Sequence, residues 1–467
     1  MDEPVSDAAA KKAMLLVAAM TFFLFPFMAA SVNIALPSIG AELALDGVTL
    51  GWVTTAYLLA SAVFLVPFGR MADIYGRKKV FTSGIVIFTI ASLLAAVAGS
   101  GLMLISFRIL QGIGVSMLAG TAVALLTGVF PLAERGKVLG INAMAAYAGL
   151  ALGPVLGGVI TQHLGWRAIF FLNVPLGLIV IGAVLWKLKG EWTGARGEKF
   201  DFAGSALYTL ALLALIYGFT TLPAISGIWL VVGGIIGLTV FTRLQLRSRS
   251  PVLNTDLFRK SRTFTFSSLA AVLEYSPVLA ISFLMSLYLQ YVRDFTPESA
   301  GLVLVAMPAI SAMVSPLAGR LSDRIEPRVI ASAGMAITTV GVALFIFFDD
   351  ATPLWSVVAG LVVVGCGLAL FASPNINAVM SSAPRSAYGV ASAMVATTRQ
   401  IGMVFGMGIA MLMLAAYMGR VEITPEYFPL FQTSMRTSFI VLAALCFGGI
   451  FVSLTRGRIR QPPLQGR

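Results

Sequence analysis

Fourteen apolar runs, most of them near 20 residues long, follow one another through this chain and decide its solvent. They cover 13–37, 49–68, 80–98, 102–126, 138–160, 168–187, 202–221, 227–242, 264–291, 299–318, 329–347, 354–375, 389–418 and 436–455. About 20 apolar residues cross the roughly 30 Å hydrocarbon core of a bilayer as a helix. A helix also satisfies every backbone polar group where water is absent. A β-barrel needs alternating segments of about ten residues, and these runs are continuous and longer. Charged residues are 11% of the chain, under half of the usual quarter, too few to coat soluble domains. The reading is an all-α polytopic membrane protein, with 202–242 open to an alternative as a re-entrant segment.

The formal charge of +12 invites a nucleic-acid partner, and its distribution argues against one. With the N-terminus inside, the outer segments hold Arg167, Arg293, Arg420 and Arg436, and Arg108 and Arg399 fall within helices. The other 26 of the 32 Lys and Arg residues lie in inner segments. That asymmetry is the positive-inside pattern, so the basic excess sets orientation and predicts an even span number with both termini cytoplasmic. The first run is too long for a signal-peptide core and starts acidic at Asp2-Glu3, so it is expected to be retained. Cys366, Cys446 and His163 are scattered. They make no disulfide framework, no metal site and no nucleophile–base pair, so an enzyme has few residues to work with. No Gly-rich Lys-Ser/Thr phosphate loop occurs either, which leaves no nucleotide-driven machinery and no expected cofactor.

Charge is concentrated in GRMADIYGRKK at 69–79, and GRLSDRIEPR at 319–328 repeats its start. Gly69-Arg70-x-x-Asp73 and Gly319-Arg320-x-x-Asp323 stand 250 residues apart, each after the second span of its half and each expected in a short cytoplasmic turn. The repeat predicts two parallel six-helix bundles, 13–187 and 264–455, with two inserted helices and basic loops in 188–263. A cytoplasmic segment 1–12 and a basic tail 456–467 complete the division.

These residues carry a family resemblance. GRMADIYGRKK resembles the loop motif of the major facilitator superfamily at Gly69, Asp73, Gly76, Arg77 and Lys78. RILQGIG at 108–114 is similar to the family's fourth-helix motif, and GLALGPVLGG at 149–158 to the fifth-helix signature of its proton-driven exporters. VNIALP at 32–37 and GWRAIFFLNVPLG at 165–177 resemble the fourteen-helix drug–proton antiporter branch. The resemblance implies a major facilitator fold with alternating access and binding near the bilayer midplane. The chain departs from the branch at Met28, where an Asp is usual five residues before Asn33, and at Glu326-Pro327 in the second loop.

Candidate residues follow from charge placed in oil. Glu274, in AAVLEYSPVLA, is the deepest acid. Intramembrane acids face cavities and serve ions or protons, because an ionised carboxylate in hydrocarbon is costly. The alternative is a static ion pair with Arg108 or Arg399. Arg108 needs an acceptor or water, and either tunes a carboxyl and meets an anionic substrate group or snorkels outward. Together Glu274 and Arg108 form the proton-coupling set. Gln111 beside Arg108, the Arg399-Gln400 pair, Tyr147 and Tyr275 are the substrate-cavity candidates, along with Asn33, which serves equally well as a helix-packing amide. Methionines and aromatics abound, and most such residues in a bilayer pack or face lipid.

Gly69, Asp73, Gly76 and Arg77, with Asp323 and Arg324 from the repeat, are the candidates for a conformational latch, Asp73 lying just past one helix within reach of a helix terminus or an arginine. Topology alone is the alternative reading of this loop. In the antiporter motif Gly149, Gly153 and Gly157 recur every four residues on one helix face, with Pro154 between them and Gly158 at the end. That spacing permits close helix contact, and the resemblance adds that this face seals the transport path.

The reading is a secondary transporter exporting lipophilic or amphipathic drugs against protons, a proton gradient supplying the energy. Small amphipathic substrate, protons and membrane lipids are the expected partners, with a monomer in the plasma (inner) membrane. A lipid, lysolipid or metabolite exporter without tight proton coupling is the nearest alternative; a channel or sensory protein would have no use for tandem halves.

Overall fold

The structure, a computed structural model, describes residues 8–130, 132–187, 190–191, 193–195, 197–222, 224–246, 261–382 and 388–457. The first seven residues, most of the basic stretch before Arg262, and the tail past Gly457 lie outside the described residues, as does the Asp323 side chain. Fourteen helices among the described residues are long and apolar enough to cross a membrane, one for each apolar run.

The helices are α1 (Ala8–Leu43), α2 (Gly47–Tyr75), α3 (Arg77–Ala96), α4 (Gly101–Val129), α5 (Leu132–Leu164), α6 (Arg167–Lys187), α7 (Phe202–Thr220) and α8 (Ile225–Gln245). They continue as α9 (Arg262–Leu287), α10 (Pro297–Leu304), α11 (Ala306–Arg324), α12 (Pro327–Leu344), α13 (Leu354–Ser381), α14 (Tyr388–Tyr417) and α15 (Phe428–Thr455). Helices α10 and α11 together make one candidate crossing, and α7 and α8 are each long and apolar enough to cross by themselves, which favours two spans over a re-entrant segment in 202–242. Side-chain caps define several starts: Asp46 accepts from Val48 N and Thr49 N at 2.9 Å, and Ser100 and Asp201 cap α4 and α7 in the same way.

Several helices run past their apolar runs, and at two of them the contacts show the physical reason. Helix α1 runs through Pro37 to Leu43, because a proline leaves one carbonyl unbonded but does not force the chain out of helix when a neighbour fills the gap. Helix α15 starts at Phe428, ahead of its apolar run. Its polar first turns hide themselves: Thr433 and Ser434 donate to the carbonyls of Pro429 and Leu430 at 2.9 and 2.8 Å.

Two compact units result. One comprises Met1–Val252, Ser282–Val305 and Gly419–Phe428; the other comprises Leu253–Ile281, Ala306–Met418 and Pro429–Arg467. Within each, the same crossings recur. In the first unit α5 meets α1 so closely that a Cβ at Gly149 would lie 2.3 Å from the Phe23 carbonyl oxygen. In the second, α14 meets α9 with Gly402 2.5 Å from the Val272 carbonyl oxygen by the same measure, and Gly406 only 1.7 Å from that of Ser276. Gly402 and Gly406 stand 253 residues after Gly149 and Gly153. Likewise the α3–α4 crossing rests on Gly84 and Gly114, and the α12–α13 crossing on Gly334 and Gly367. The charged-loop echo therefore extends to main-chain contacts inside the helices.

The inserted pair α7–α8 packs mainly on itself, tied at one end by Gln245 Nε2 donating to the Asp201 carboxylate at 2.8 Å. Tyr217 of α7 tilts against Trp52 of α2, ring centroids 5.5 Å apart.

Candidate functional site

Glu274 is wholly enclosed, 0% exposed, on the stretch of α9 that belongs to the second unit. Thr338 Oγ1 of α12 donates to its Oε1 at 2.6 Å, while Oε2 has no hydrogen-bond partner. Pro277 deprives the carbonyl of Leu273 of its helical donor. Two side chains take its place: Ser276 Oγ at 2.7 Å and Cys446 Sγ of α15 at 3.6 Å. The carboxyl thus lies among α9, α12 and α15 in a polar spot made of hydroxyls, a thiol and a freed carbonyl. Glu274 forms no ion pair among the described residues, so the static-pair alternative is not what the fold builds.

One position further along, Tyr275 points elsewhere. Its ring meets Phe371 edge-on at 6.0 Å, and the Arg399 guanidinium sits 5.6 Å from its centroid, close enough for a cation–π contact. Gln400 is buried beside it in sequence, with Oε1 unpartnered. Tyr147 on α5 is partly exposed.

Arg108, in the first unit, does not snorkel. It is 0% exposed; Nε donates to the Val53 carbonyl at 2.9 Å and a terminal nitrogen to Gln111 Oε1 at 3.0 Å. Its plane lies over the Tyr57 ring at 4.1 Å. Gln111 in turn donates to Ser92 Oγ of α3 at 2.8 Å. Both ends of Gln111 are occupied inside the α2–α3–α4 packing, so in this conformation it lines no open space. The second terminal nitrogen of Arg108 remains unpartnered. Asn33 is also enclosed, its Oδ1 accepting from Thr54 at 2.8 Å, which is the packing-amide alternative. Met28, at the departure from the branch pattern, receives Asn173 Nδ2 on its sulfur at 3.2 Å.

The charged loop differs from the expected turn. Asp73 lies inside the last turn of α2, and the corner is one residue, Gly76, at φ 124°, a conformation open to glycine and strained for other residues. Arg77, the first residue of α3, donates from Nε to Asp73 Oδ1 at 2.9 Å and reaches the Ala124 carbonyl of α4 at 3.2 Å. Gly69 is within the helix and takes no part in turning. In the repeat, Gly319 has open space around it and Arg324 is exposed at the end of α11.

A strap from the α6–α7 connection completes the first corner. Glu191 accepts from Lys78 N at 2.7 Å, placing an anion at the N-terminus of α3. Gly194 N and Ala195 N donate to the Asp73 carbonyl at 3.0 and 2.9 Å, and Glu198 pairs with Arg70. The sequence reading did not single out these acids; their signal was the excess of base in GRMADIYGRKK, where Asp73 alone faces Arg70, Arg77, Lys78 and Lys79.

The antiporter motif is a contact face. Gly149, Gly153 and Gly157 lie against Phe23, Phe27 and Ser31 of α1, and Ser31 Oγ donates to the Gly153 carbonyl at 2.9 Å. At Gly158 a Cβ would come 2.4 Å from the Pro297 carbonyl oxygen, and at Gly301 2.2 Å from that of Pro154, so α10 is pressed onto the bend. Arg456 was also missed. It is buried at the end of α15, donating to Asn375 Oδ1 at 2.9 Å and to the Pro327 carbonyl at 3.0 Å. The sequence shows it only as the first base of a tail.

The profile of the Major Facilitator Superfamily matches residues 18–407 and 267–465. The riboflavin transporter RibZ of Clostridioides difficile is 29% identical over 447 residues, covering 94% of this chain and 96% of that protein. The multidrug resistance protein Stp of Mycobacterium tuberculosis is 32% identical over 414 residues, covering 86% and 76%. Among solved structures, a bacterial homolog of the human lysosomal transporter Spinster superposes with a TM-score of 0.72 at 16% identity, over 97% of this chain and 98% of that one.

Proposed function

This chain belongs to the major facilitator superfamily and is a polytopic membrane transporter, not an enzyme; we propose that it exports lipophilic or amphipathic drugs, cationic ones included, in exchange for protons. The observation that carries the proposal is the state of Glu274: a carboxyl enclosed, among the described residues, without a counter-charge, one oxygen held by Thr338 and the other unpartnered. In the cycle, Oε2 takes a proton arriving from outside, the two six-helix bundles change their access, the proton leaves inward, and substrate is taken up for the return. Arg108, with one unpartnered nitrogen, is the second coupling candidate. Tyr147, Tyr275 and Arg399 keep partial exposure and are offered as substrate contacts.

The Asp73–Arg77 corner is proposed as the latch of one conformation, and the α5 glycine face as the seal against leak. The energy source is the proton gradient, with no other cofactor. The site of action is the inner membrane of a bacterium, with both termini cytoplasmic, as the distribution of basic residues supports. A multidrug resistance protein among the relatives supports the cargo class.

A second reading has its own support. A riboflavin transporter matches over 94% of the chain, and Met28 places an apolar group where the branch has an acid. On this reading the cargo is an endogenous metabolite or lipid and proton coupling is loose. Liposomes under an imposed pH gradient separate the two. Drug uptake and internal pH move together in the wild type, and Glu274→Gln abolishes the coupled flux while retaining drug binding. Flux indifferent both to pH and to the substitution rejects the exchange cycle and leaves the metabolite reading.

A further inference from the structure

The outer half of α1 contains a main-chain defect. Pro37 has no amide hydrogen, so the carbonyl of Asn33, four residues before it, has no donor within its own helix. An unmet carbonyl inside a membrane is costly, and the fold meets it from another helix. Ser286 Oγ of α9 donates to the Asn33 carbonyl oxygen at 2.7 Å. Gln290 Nε2 donates to the next carbonyl, Ile34, at 3.0 Å, and also reaches Ser286 Oγ at 3.0 Å. Tyr291 hydroxyl approaches the Pro37 carbonyl at 3.4 Å.

Three features mark this as a built contact. The donors to α1 are all side chains of α9 or of the turn that continues it, and their acceptors on α1 are all main-chain oxygens. Beyond Leu287 the helix widens into a π-helical turn, Tyr288–Val292, that carries Gln290 and Tyr291; such turns recur where function needs a helix re-aimed. Opposite it stands Gly40, where a Cβ would lie 3.0 Å from the Tyr291 hydroxyl, so any larger residue crowds the approach. The side chain of Asn33 is engaged separately with Thr54, which leaves its backbone as the thing α9 holds.

We infer that Ser286, Gln290 and Tyr291 form a releasable outer latch on α1, closed by supplying the hydrogen bond that Pro37 withholds from Asn33. The latch lies within the first unit, which takes in Ser282–Val305, although α9 up to Ile281 belongs to the second. Release transfers the Asn33 carbonyl to water, so opening and hydration of the outer path occur together. The inference rests on the transport reading and on its outward orientation of this end, but not on Glu274 carrying protons.

The test uses the full chain in lipid nanodiscs, following hydrogen–deuterium exchange of the α1 segment 33–43. Ser286→Ala and Gln290→Leu each accelerate exchange there about two- to tenfold, the range set by one lost hydrogen bond; Ser286→Thr, which keeps a hydroxyl, does not. Pro37→Ala restores a helical donor to Asn33, so adding Ser286→Ala to it changes exchange little. Glu274→Gln, run in parallel, leaves the α1 response intact whether or not it abolishes proton-coupled flux, which keeps failure of the latch distinct from failure of the exchange cycle. Wild-type exchange in Ser286→Ala, or an equal effect of Ser286→Ala with and without Pro37, overturns the latch.

Discussion

Arg108 and Arg456 are both fully buried, and neither forms an ion pair among the described residues. Each instead donates to carbonyls and neutral side chains, with one guanidinium nitrogen left unpartnered in each case. Arg108→Lys is therefore not conservative. An ammonium cannot reach the Val53 carbonyl and Gln111 Oε1 while covering the Tyr57 ring, and the loss is expected at about 1–3 kcal/mol, read as a lower unfolding midpoint in detergent. Arg456 lies beyond the last span, and burial pulls its guanidinium down to about 10, opposed by nearby Glu326. Its charge burial is a cost at every pH below that value, relieved only as pH rises from about 10 toward the ordinary arginine range. The stability difference between wild type and Arg456→Met should accordingly be flat between pH 5 and 9; a slope in thermal unfolding across that window contradicts this account. Glu274 and Arg108 were legible in the sequence because a charge in an apolar run is conspicuous. Thr338 was not, since threonines commonly bond their own helix, as Thr339 does to the Met335 carbonyl at 2.8 Å. Thr338→Val should weaken proton-coupled flux while Thr338→Ser largely keeps it, measured in the same liposomes as Glu274→Gln.

Helices show where repetition in sequence is repetition in structure and where it is not. The two charged loops look alike in one dimension, and Gly69 and Gly319 both sit inside their helices, yet Gly76 turns a corner at φ 124° with Glu191 against it, while the matching position of the repeat is Glu326, just ahead of Pro327 at the start of α12. Gly76→Ala should cost about 1–3 kcal/mol through strain. Gly319→Ala should be neutral or stabilising by about 0.5–1 kcal/mol, as for glycine in any helix interior. Comparing the melting temperatures of the two variants checks that the strain lies at the corner and not at the glycine the two loops share. Conversely, Gly402 and Gly406 were not singled out, yet they reproduce the Gly149–Gly153 contact. Spacing every four residues was visible in both stretches, but only the first also carried a family motif. Helix ends shifted where hydroxyls bonded back to their own turns, because a hydropathy window reads such residues as polar although their donors are internally spent.

For the molecule as a whole, each unit is pinned in its own way. The first has the strap of Glu191, Gly194, Ala195 and Glu198 over the α2–α3 corner. The second has Arg456, which joins the end of α15 to the starts of α9 and α12 and to Asn375 of α13. Arg456→Met should lower the unfolding temperature of the second unit and leave the first unaltered, seen as limited proteolysis that begins within 306–418. Cleavage appearing equally in α1–α6 would mean that the units do not unfold separately.

Hydropathy, charge placement and motif order are sums over neighbours along the chain, so the sequence by itself determined the lipid solvent, the fourteen spans and the tandem halves. Partners are another matter. Glu274 meets Thr338 across 64 positions, Arg108 meets Val53 across 55, and Asn33 meets Ser286 across 253. Such meetings depend on how each helix is rotated about its axis and where it crosses its neighbours, quantities that glycine contacts, prolines and a π-helical turn set jointly. Only the tertiary structure decided them, because a rotation of one helix by a single residue step, about 100°, exchanges every partner it has.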